Sequence, residues 1–364
     1  MRLSPLAFAA ALGLGSATFA APGLFLNPLF SFGGDGVLSP GEIAALTTDN
    51  NQRGIAYNAI TNRVYLVNRA GGLSIRILDG DTGAEVGTLN TSGITGGTFV
   101  LSTIAVGDDG AIYGANLTTN TSSSALKIYR WADESAVPTV AFNGSPTNAA
   151  GARFGDSLAA RGSGTNTQLI MGGNTGTGTG SITFNSYAVF TTNDGLTFSG
   201  DGKVITGPAS GSHRLGVDFG PGNTAYGKQT GTGNLEYSTF ALGSATRNTG
   251  APFSLTSAGE GPIGVDVANT VLATVDINNS RVRLYDITDP TVNPVLLDTG
   301  LFTSTNANVN GTGAIDFGVR SGVLRLYVLN TNNGIQAFEV RVPEPAGLSL
   351  LAVSAAGLLR RRRV

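Results

Sequence analysis

The sequence GIAYNAITNRVYLVN, residues 54–68, decides the fold prediction. Two short runs of alternating apolar residues flank the turn-forming residues 58–62, and this alternation is typical of half-buried strands in a hairpin. Five later segments follow the same order of an alternating strand, a turn and a second strand. They begin at Ser102, Arg153, Arg214, Ile263 and Gly313.

The six segments repeat about every 50 residues, which is too long for one hairpin and matches a four-stranded blade of a β-propeller. Spacings of 49, 52, 61, 48 and 50 separate the equivalent residues Tyr57, Val106, Leu158, Phe219, Val267 and Phe317. Further strands are predicted at Leu73–Leu78, Glu85–Leu89, Lys127–Trp131, Thr139–Phe142, Arg281–Ile287 and Pro294–Leu297.

The sixth unit lacks a fourth strand, because Gly334–Val340 is followed almost directly by Pro343. The stretch Leu24–Leu38 precedes the first repeat and belongs to no unit. We predict that this N-terminal strand closes the sixth blade and removes an exposed sheet edge. The predicted fold is therefore all-β, a single propeller of six four-stranded blades. Seven blades would require the third unit, enlarged by a flexible loop at Gly172–Gly180, to be split. A β-sandwich or a parallel β-helix is the main alternative.

Composition agrees with many short strands and excludes several kinds of chemistry. The chain has 53 Gly in 364 residues, 13% charged residues and 41% hydrophobic residues, so it can bury a core. The net charge is −2, and four Arg lie at the C-terminus, which leaves the body near −6 (−2 − 4). This balance argues against nucleic-acid binding. The absence of Cys excludes disulfides and thiol catalysis.

The N-terminal residues 1–20 have the layout of a secretory signal peptide. Arg2 is followed by an apolar run from Leu6 to Leu14 and then by small residues. Cleavage by signal peptidase is predicted after Ala20, because cleavage after Ala21 would place Pro22 in the disfavoured next position. We therefore expect an exported protein.

The C-terminal residues 343–364 contain three elements in order. A Pro-Glu-Pro motif is followed by 14 apolar or small residues, 346–359, and then by four arginines. As a helix, this segment would be about 21 Å long, shorter than a hydrocarbon core of about 30 Å. We nevertheless predict a C-terminal transmembrane helix here, with the arginines as a cytoplasmic stop-transfer signal. These arginines are Arg360, Arg361, Arg362 and Arg363.

This order resembles the PEP-CTERM sorting signal of exported bacterial proteins. The resemblance implies that an exosortase-type processing enzyme recognises Pro343, Glu344 and Pro345. It also implies transient anchoring in the inner membrane of a Gram-negative-type bacterium, followed by delivery to the cell surface or the extracellular matrix. The predicted domains are then a signal peptide (1–20), a propeller (21–342) and a sorting signal (343–364).

Two repeats resemble known propeller units. IAYNAITNRVYLVN, residues 55–68, resembles the YVTN-type repeat, and IAVGDDGAIYGAN, residues 104–116, resembles the NHL-type repeat. Each resemblance covers one unit, so it supports an architecture and not an activity. A PQQ-type propeller would need a recurrent Trp, and this chain has only Trp131.

Catalytic and metal-binding motifs are scarce, so no catalytic residue, metal site or cofactor is assigned. His213 is the only His and precedes a strand, where we interpret it as a loop residue; no G-x-S-x-G elbow supplies a nucleophile. Four turn aspartates are explained by turn chemistry, with Ca²⁺ as the minor alternative. They are Asp79, Asp81, Asp108 and Asp109.

Charged residues recur near the predicted inner strands. Asp218, Asp266 and Asp316 occupy one register of the repeat. They either line the central channel, where they would bind Ca²⁺ or a sugar hydroxyl, or accept backbone N–H bonds within the blades. Repetition in sister units favours the structural role. Three arginines just ahead of inner strands would line one mouth of the channel and suit anionic ligands. They are Arg53, Arg153 and Arg214.

Three functional hypotheses follow. The favoured one is a non-enzymatic surface or matrix protein whose propeller binds a polysaccharide, such as an exopolysaccharide, or a surface protein. The second is a hydrolase or lyase that acts on exopolysaccharide or a lactone through channel Asp residues and His213. The third is a structural component of the cell coat.

Overall fold

The computed structural model describes residues 23–209, 211–231 and 234–342. These residues form 27 β-strands and one 3-10 turn, Gly164–Asn166. The strands assemble into six antiparallel sheets with a main path of four strands each. The predicted six-bladed all-β propeller is therefore confirmed, and the third unit forms one blade.

Blades 1 to 3 follow the chain, with the inner strand first. Blade 1 contains β3 (Gln52–Asn58), β4 (Arg63–Asn68), β5 (Ser74–Asp79) and β6 (Glu85–Thr88). Blade 2 contains β7 (Phe99–Val106), β8 (Ile112–Leu117), β9 (Leu126–Trp131) and β10 (Thr139–Gly144). Blade 3 has an inner strand in two pieces, β11 (Arg153–Phe154) and β12 (Ala159–Arg161), and continues with β13 (Gln168–Asn174), β14 (Tyr187–Thr192) and β15 (Phe198–Gly202).

Blades 4 to 6 complete the ring. Blade 4 contains β16 (Gly216–Phe219), β17 (Thr224–Lys228), β18 (Asn234–Ala241) and β19 (Ser244–Arg247), with the short β20 (Phe253–Ser254) paired to β18. Blade 5 contains β21 (Glu260–Asp266), β22 (Val271–Asp276), β23 (Arg281–Asp286) and β24 (Val295–Leu301). Blade 6 contains β25 (Gly313–Arg320), β26 (Val323–Asn330) and β27 (Gly334–Arg341), to which β1 (Phe25–Pro28) and β2 (Val37–Leu38) are added.

The N-terminal strand closes blade 6, as the sequence predicts. β1 pairs antiparallel with β27, with Leu26 opposite Val340, and β2 pairs with the earlier part of β27. The backbone N–H of Leu26 also donates to Asp298 Oδ2 of blade 5 at 2.8 Å. The closing strand therefore covers the edge of β27 and ties it to the neighbouring blade.

The inner strands approach one another closely around the axis, which requires small residues. A Cβ on Gly54 of β3 would lie 3.1 Å from Thr103 Cα of β7, and one on Gly216 of β16 would lie 2.6 Å from Gly261 O of β21. Such contacts leave no space for a larger side chain. Glycine at these positions therefore sets the spacing between inner strands of neighbouring blades.

The core lies between the blades. Tyr57 of blade 1 packs against Tyr327 of blade 6 with ring centroids 4.4 Å apart, and Phe32 of the closing segment contacts Tyr327 edge-on at 5.7 Å. Between blades 1 and 2, the fully buried Trp131 packs with apolar residues of both blades. Each blade thus buries its faces against its two neighbours.

The predicted C-terminal transmembrane helix was wrong as a part of this fold, and the fold class is corrected to all-β alone. In the described ranges the structure has strands and one 3-10 turn, and no helix there is long and apolar enough to cross a membrane. The physical reason is length, since about 21 Å of helix does not span a core of about 30 Å. Residues 346–359, the sorting motif, the arginine cluster and the signal-peptide cleavage site lie outside the described residues.

The predicted flexible loop Gly172–Gly180 is shorter than expected. Gly172, Gly173 and Asn174 belong to β13. A side chain on Gly172 would collide with the backbone carbonyl of His213, so this glycine allows blades 3 and 4 to approach. A glycine-rich run was mistaken for a loop because glycine serves close packing as well as turns.

Replacement of Phe32 by Ala should destabilise the propeller by about 3–5 kcal/mol, because a fully buried ring between blades 6 and 1 would leave a cavity. Denaturant unfolding of the full-length protein measures this change. Phe30→Ala is the matched control, since Phe30 is 65% exposed in the same segment and its loss should change the free energy of unfolding by less than about 0.5 kcal/mol. Equal effects of the two variants would contradict the packing role of the closing segment.

Candidate functional site

The inner strands enclose a channel of about 390 Å³ on the propeller axis, a volume within the usual range of ligand sites. All six blades contribute to its wall. The six residues taken as equivalent in the repeat all line it: Tyr57, Val106, Leu158, Phe219, Val267 and Phe317. Contacts such as Arg53 with Thr312 and Arg320 with Ile60 show that β3 and β25 run in the same direction. The N-terminal ends of the inner strands therefore share one mouth of the channel.

Four arginines gather at this mouth, which we name the arginine mouth: Arg53, Arg69, Arg153 and Arg214. The sequence predicted all of them except Arg69. Each residue is half-buried and belongs to blade 1, 3 or 4 or to the segment leading into that blade. Arg153 Nε and Nη2 donate to the two carboxylate oxygens of Asp156 at 2.6 and 2.7 Å. Arg53 Nη1 donates to Thr312 Oγ1 at 2.8 Å.

The charges at the arginine mouth act on one another. Burial lowers the pKa of Arg53 and of Arg214, Asp156 partly offsets this effect, and the positive charge of Arg153 lowers both pKa values further. Burial, with the neighbouring charge of Arg53, lowers the pKa of Arg69 to about 10. The guanidinium groups are thus desolvated and close to each other, which is unfavourable without an anion.

Several buried N–H donors at the arginine mouth have no hydrogen-bond partner. They are Nε of Arg53 and Nε and Nη1 of Arg69. The Arg69 guanidinium also lies 4.0 Å above the Phe99 ring, which holds it in place. A buried donor left unsatisfied costs about 1–3 kcal/mol, and more if charged. These unsatisfied donors and the desolvated charges therefore favour an oxyanion at the arginine mouth.

Sequence analysis missed Arg69 because it follows β4, the second strand of the blade. In an antiparallel hairpin the end of the second strand returns to the start of the first, and Asn68 pairs with Gln52. Arg69 could have been predicted from its position directly after the second strand of a blade, since this position lies beside the start of the inner strand.

Asp218 and Asp316 lie in the channel wall and also join neighbouring blades. Asp218 Oδ2 accepts from Val265 N of blade 5 at 2.7 Å, and Asp316 Oδ2 accepts from Tyr57 N of blade 1 at 2.7 Å. Burial raises the pKa of each carboxyl group to about 7, and the charge of Asp218 contributes to the shift of Asp316. Each group therefore combines a structural hydrogen bond with exposure to the channel.

Asp266 is placed differently from the other two. It is the last residue of β21, and its Oδ1 accepts from the backbone and side chain of Asn269 in the following turn at 2.7 and 2.8 Å. The position level with Asp218 is occupied by Val265, whose N–H binds Asp218. Asp266 lines the channel near the opposite mouth but makes no hydrogen bond to a neighbouring blade among those described.

The turn aspartates are occupied by protein donors. Asp79 accepts from Thr82 and Arg63, and Asp81 accepts from Arg325 at 2.6 Å. Asp108 and Asp109 accept backbone N–H groups of blade 3, at Gly162 and Gly164. Within the described ranges no three His, Cys, Asp or Glu side chains are grouped to hold a metal ion.

His213 lies in the turn that precedes β16, in agreement with its interpretation as a loop residue, and its side chain is buried. Its ring packs against Tyr187 at 5.1 Å, and its Nδ1 lies 3.3 Å from the carbonyl oxygen of Asn185. No carboxylate bonds it, so it has no triad geometry in the described structure. Burial lowers its pKa to about 4.

Comparison with protein families gives one match. Residues 52–200 match the model of a domain of unknown function, DUF4623, over a stretch that runs from β3 into β15. No curated protein matches the sequence.

Solved structures share the fold. A DUF4623 family protein from Bacteroides eggerthii superimposes with a TM-score of 0.58 at 15% identity, over 83% of this chain and 74% of that chain. A protein of unknown function from Bacteroides thetaiotaomicron gives 0.52 at 16% identity, over 83% and 73%. Regucalcin from Agrobacterium tumefaciens, a calcium-binding protein, gives 0.51 at 13% identity, over 81% and 91%. At these identities the likeness supports the propeller fold alone.

Acid should destabilise the protein through His213. Its folded pKa of about 4 lies below the unfolded value of 6.5, so the unfolded chain binds the proton more tightly. Its contribution is complete above pH 6.5 and is lost as the pH falls towards 4, by up to about 3 kcal/mol. Urea unfolding of the unmodified protein and of His213→Gln at several pH values gives the free energy of unfolding of each. The difference between their pH dependences is the contribution of His213.

The unmodified protein must be compared with His213→Gln because Asp218 and Asp316 also titrate. Their pKa values are raised in the fold, so between about pH 7 and 4 they increase the free energy of unfolding as the pH falls, opposite to His213. Those two groups are present in both proteins, so they do not contribute to the difference. An unchanged pH slope in His213→Gln would show that His213 is not held neutral in the fold.

Proposed function

We propose that this chain is an exported, non-enzymatic propeller that binds an acidic polysaccharide or an acidic protein partner through the arginine mouth. The observation that carries the proposal is the set of unpartnered guanidinium N–H groups of Arg53 and Arg69. A planar guanidinium group binds carboxylate or phosphate oxygens in pairs, with hydrogen bonds stronger than neutral ones.

The charge balance at the arginine mouth supports an anionic ligand. Asp156 neutralises Arg153, whereas Arg53, Arg69 and Arg214 form no ion pair with a carboxylate in the described part of the chain. The partial burial of these groups weakens solvent screening, so an incoming anion is attracted more strongly than at an open surface.

The double variant Arg53→Gln/Arg69→Gln should bind an acidic polysaccharide such as polygalacturonate at least about a hundredfold more weakly, since it loses two charged hydrogen bonds worth about 1.5–3 kcal/mol each. Calorimetric titration of the full-length protein measures the affinity, and neutral dextran is the ligand control.

Arg320→Gln is the matched variant. Arg320 lies at the opposite mouth of the same channel, where its Nη1 donates to the carbonyl oxygens of Ala59 and Ile60. Its replacement should leave the affinity within about twofold, because a charge beyond the Debye length of about 8 Å is largely screened. Equal weakening by both changes would contradict the assignment to the arginine mouth.

We also propose that the C-terminal motif directs the chain to the cell surface after export. The resemblance of residues 343–364 to the PEP-CTERM signal supports this destination, together with the signal-peptide layout of residues 1–20. An exosortase-type enzyme and signal peptidase would then be the processing partners.

Replacement of Pro343, Glu344 and Pro345 by Ala should leave the C-terminus uncut, because the recognition element is removed. Immunoblots of cell and medium fractions from the native host would show a longer, cell-retained chain. Pro290→Ala, in an exposed turn of blade 5, is the control and should be processed normally. Normal release of the triple variant would overturn the sorting proposal.

A further inference from the structure

The channel holds acceptor groups at a distance from the arginine mouth. Asp316 binds the N–H of Tyr57, which lies four residues after Arg53 along β3. At about 3.3 Å per strand residue, the carboxyl groups lie roughly 10–13 Å further along the axis than the strand position of Arg53. Asp218 lies at a similar level, because it binds the N–H of Val265, the next-to-last residue of β21. A ligand that enters by the arginine mouth therefore meets two carboxyl groups inside the channel.

The two carboxyl groups can accept further hydrogen bonds from a ligand in the channel. A carboxylate offers about four lone-pair sites. Asp218 accepts from the backbone N–H groups of Val265 and Phe219, and Asp316 accepts from those of Tyr57 and Phe317. Each carboxylate therefore keeps further acceptor sites for a ligand. Both side chains are half-buried and line the cavity. Hydroxyl groups are suitable partners because they donate to a carboxylate and carry no charge into the channel.

Apolar side chains also line the channel. Leu158, Ala159, Val265 and Ile315 line it and are half-exposed there. Such a wall fits the C–H faces of a sugar ring, whose hydroxyl groups point outward from the ring edge. An acidic peptide side chain, in contrast, has no hydroxyl group beyond its carboxylate.

We propose that the ligand is an acidic oligosaccharide that ends in a uronic acid. The uronic carboxylate binds Arg53 and Arg69 at the arginine mouth, and hydroxyl groups of the next sugar donate to Asp218 and Asp316. This inference rests on the proposed binding function and names the ligand class for the same site. The site thus requires a carboxylate at the channel entrance together with hydroxyl groups on the sugar that lies deeper in the channel.

The test compares four probes by calorimetric titration of the full-length protein. They are trigalacturonate, the neutral galactotriose, glutarate and hexaglutamate. Trigalacturonate should bind at least about tenfold more tightly than the other three, because only it supplies both the carboxylate and the hydroxyl donors.

Two channel variants test the second part of the site. Asp316→Asn and Asp218→Asn should each weaken trigalacturonate binding about tenfold to a hundredfold, as expected for a lost hydrogen bond to a charged acceptor. Neither change should alter the weaker binding of glutarate. Asp289→Asn is the control, since this exposed carboxylate accepts from Thr291 in a turn of blade 5 outside the channel, and it should not affect either ligand.

The outcomes separate this inference from the proposed function. Glutarate or hexaglutamate binding as tightly as trigalacturonate would overturn the sugar assignment and leave an anion-binding mouth. Loss of all binding to the three anionic probes would overturn the proposed function as well. Thermal unfolding checks that each variant is folded; if Asp316→Asn does not fold, Asp218→Asn and the probe comparison on the unmodified protein decide the question.

Discussion

The antiparallel pairing of β1 with β27 is the contact on which the remaining structure depends. It joins residues near the two ends of the propeller, and Leu26 reaches Asp298 across 272 positions of the sequence. A ring of blades has no free edge only when this pair is formed. The entropy of closing so long a loop grows slowly with length, so pairing over four residues and the buried Phe32 suffice to hold the ring.

Once the ring is closed, polar contacts join the blades near the axis. Asp218 and Asp316 each accept a backbone N–H from the following blade, and Asp108 does the same for blade 3. These bonds satisfy backbone groups on the inner strands, which have a partner strand on one side only. The residues that hold the ring thus also form the wall of its channel.

Much of this fold was predictable because a propeller repeats one local pattern. The period, the inner-strand residues and the closing strand follow from alternation and spacing, and Arg53, Arg153 and Arg214 were expected at one mouth. Asp266 lines the channel like Asp218 and Asp316, but it ends β21, and its carboxylate bonds Asn269 in the following turn and not a neighbouring blade. Arg69 was missed because its position depends on how β4 returns along β3. His213 was correctly placed in a loop, but its burial was not predicted, because sequence does not show which turn a neighbouring blade covers.

The sequence by itself favoured six blades over seven and predicted the order of strands and the N-terminal closure, since these depend on patterns within about 50 residues and on strand pairing rules. The structure decided the number of blades. Only the tertiary structure decided that Arg69 joins the three predicted arginines and how far these charges are buried. Arg53 and Arg69 in blade 1, with Arg153 and Arg214 from later segments, come together at one mouth through packing of blades that are far apart in the chain. Their desolvation and their unpartnered N–H groups are properties of that shared environment, because burial and charge coupling depend on distance in space and not on position in the sequence.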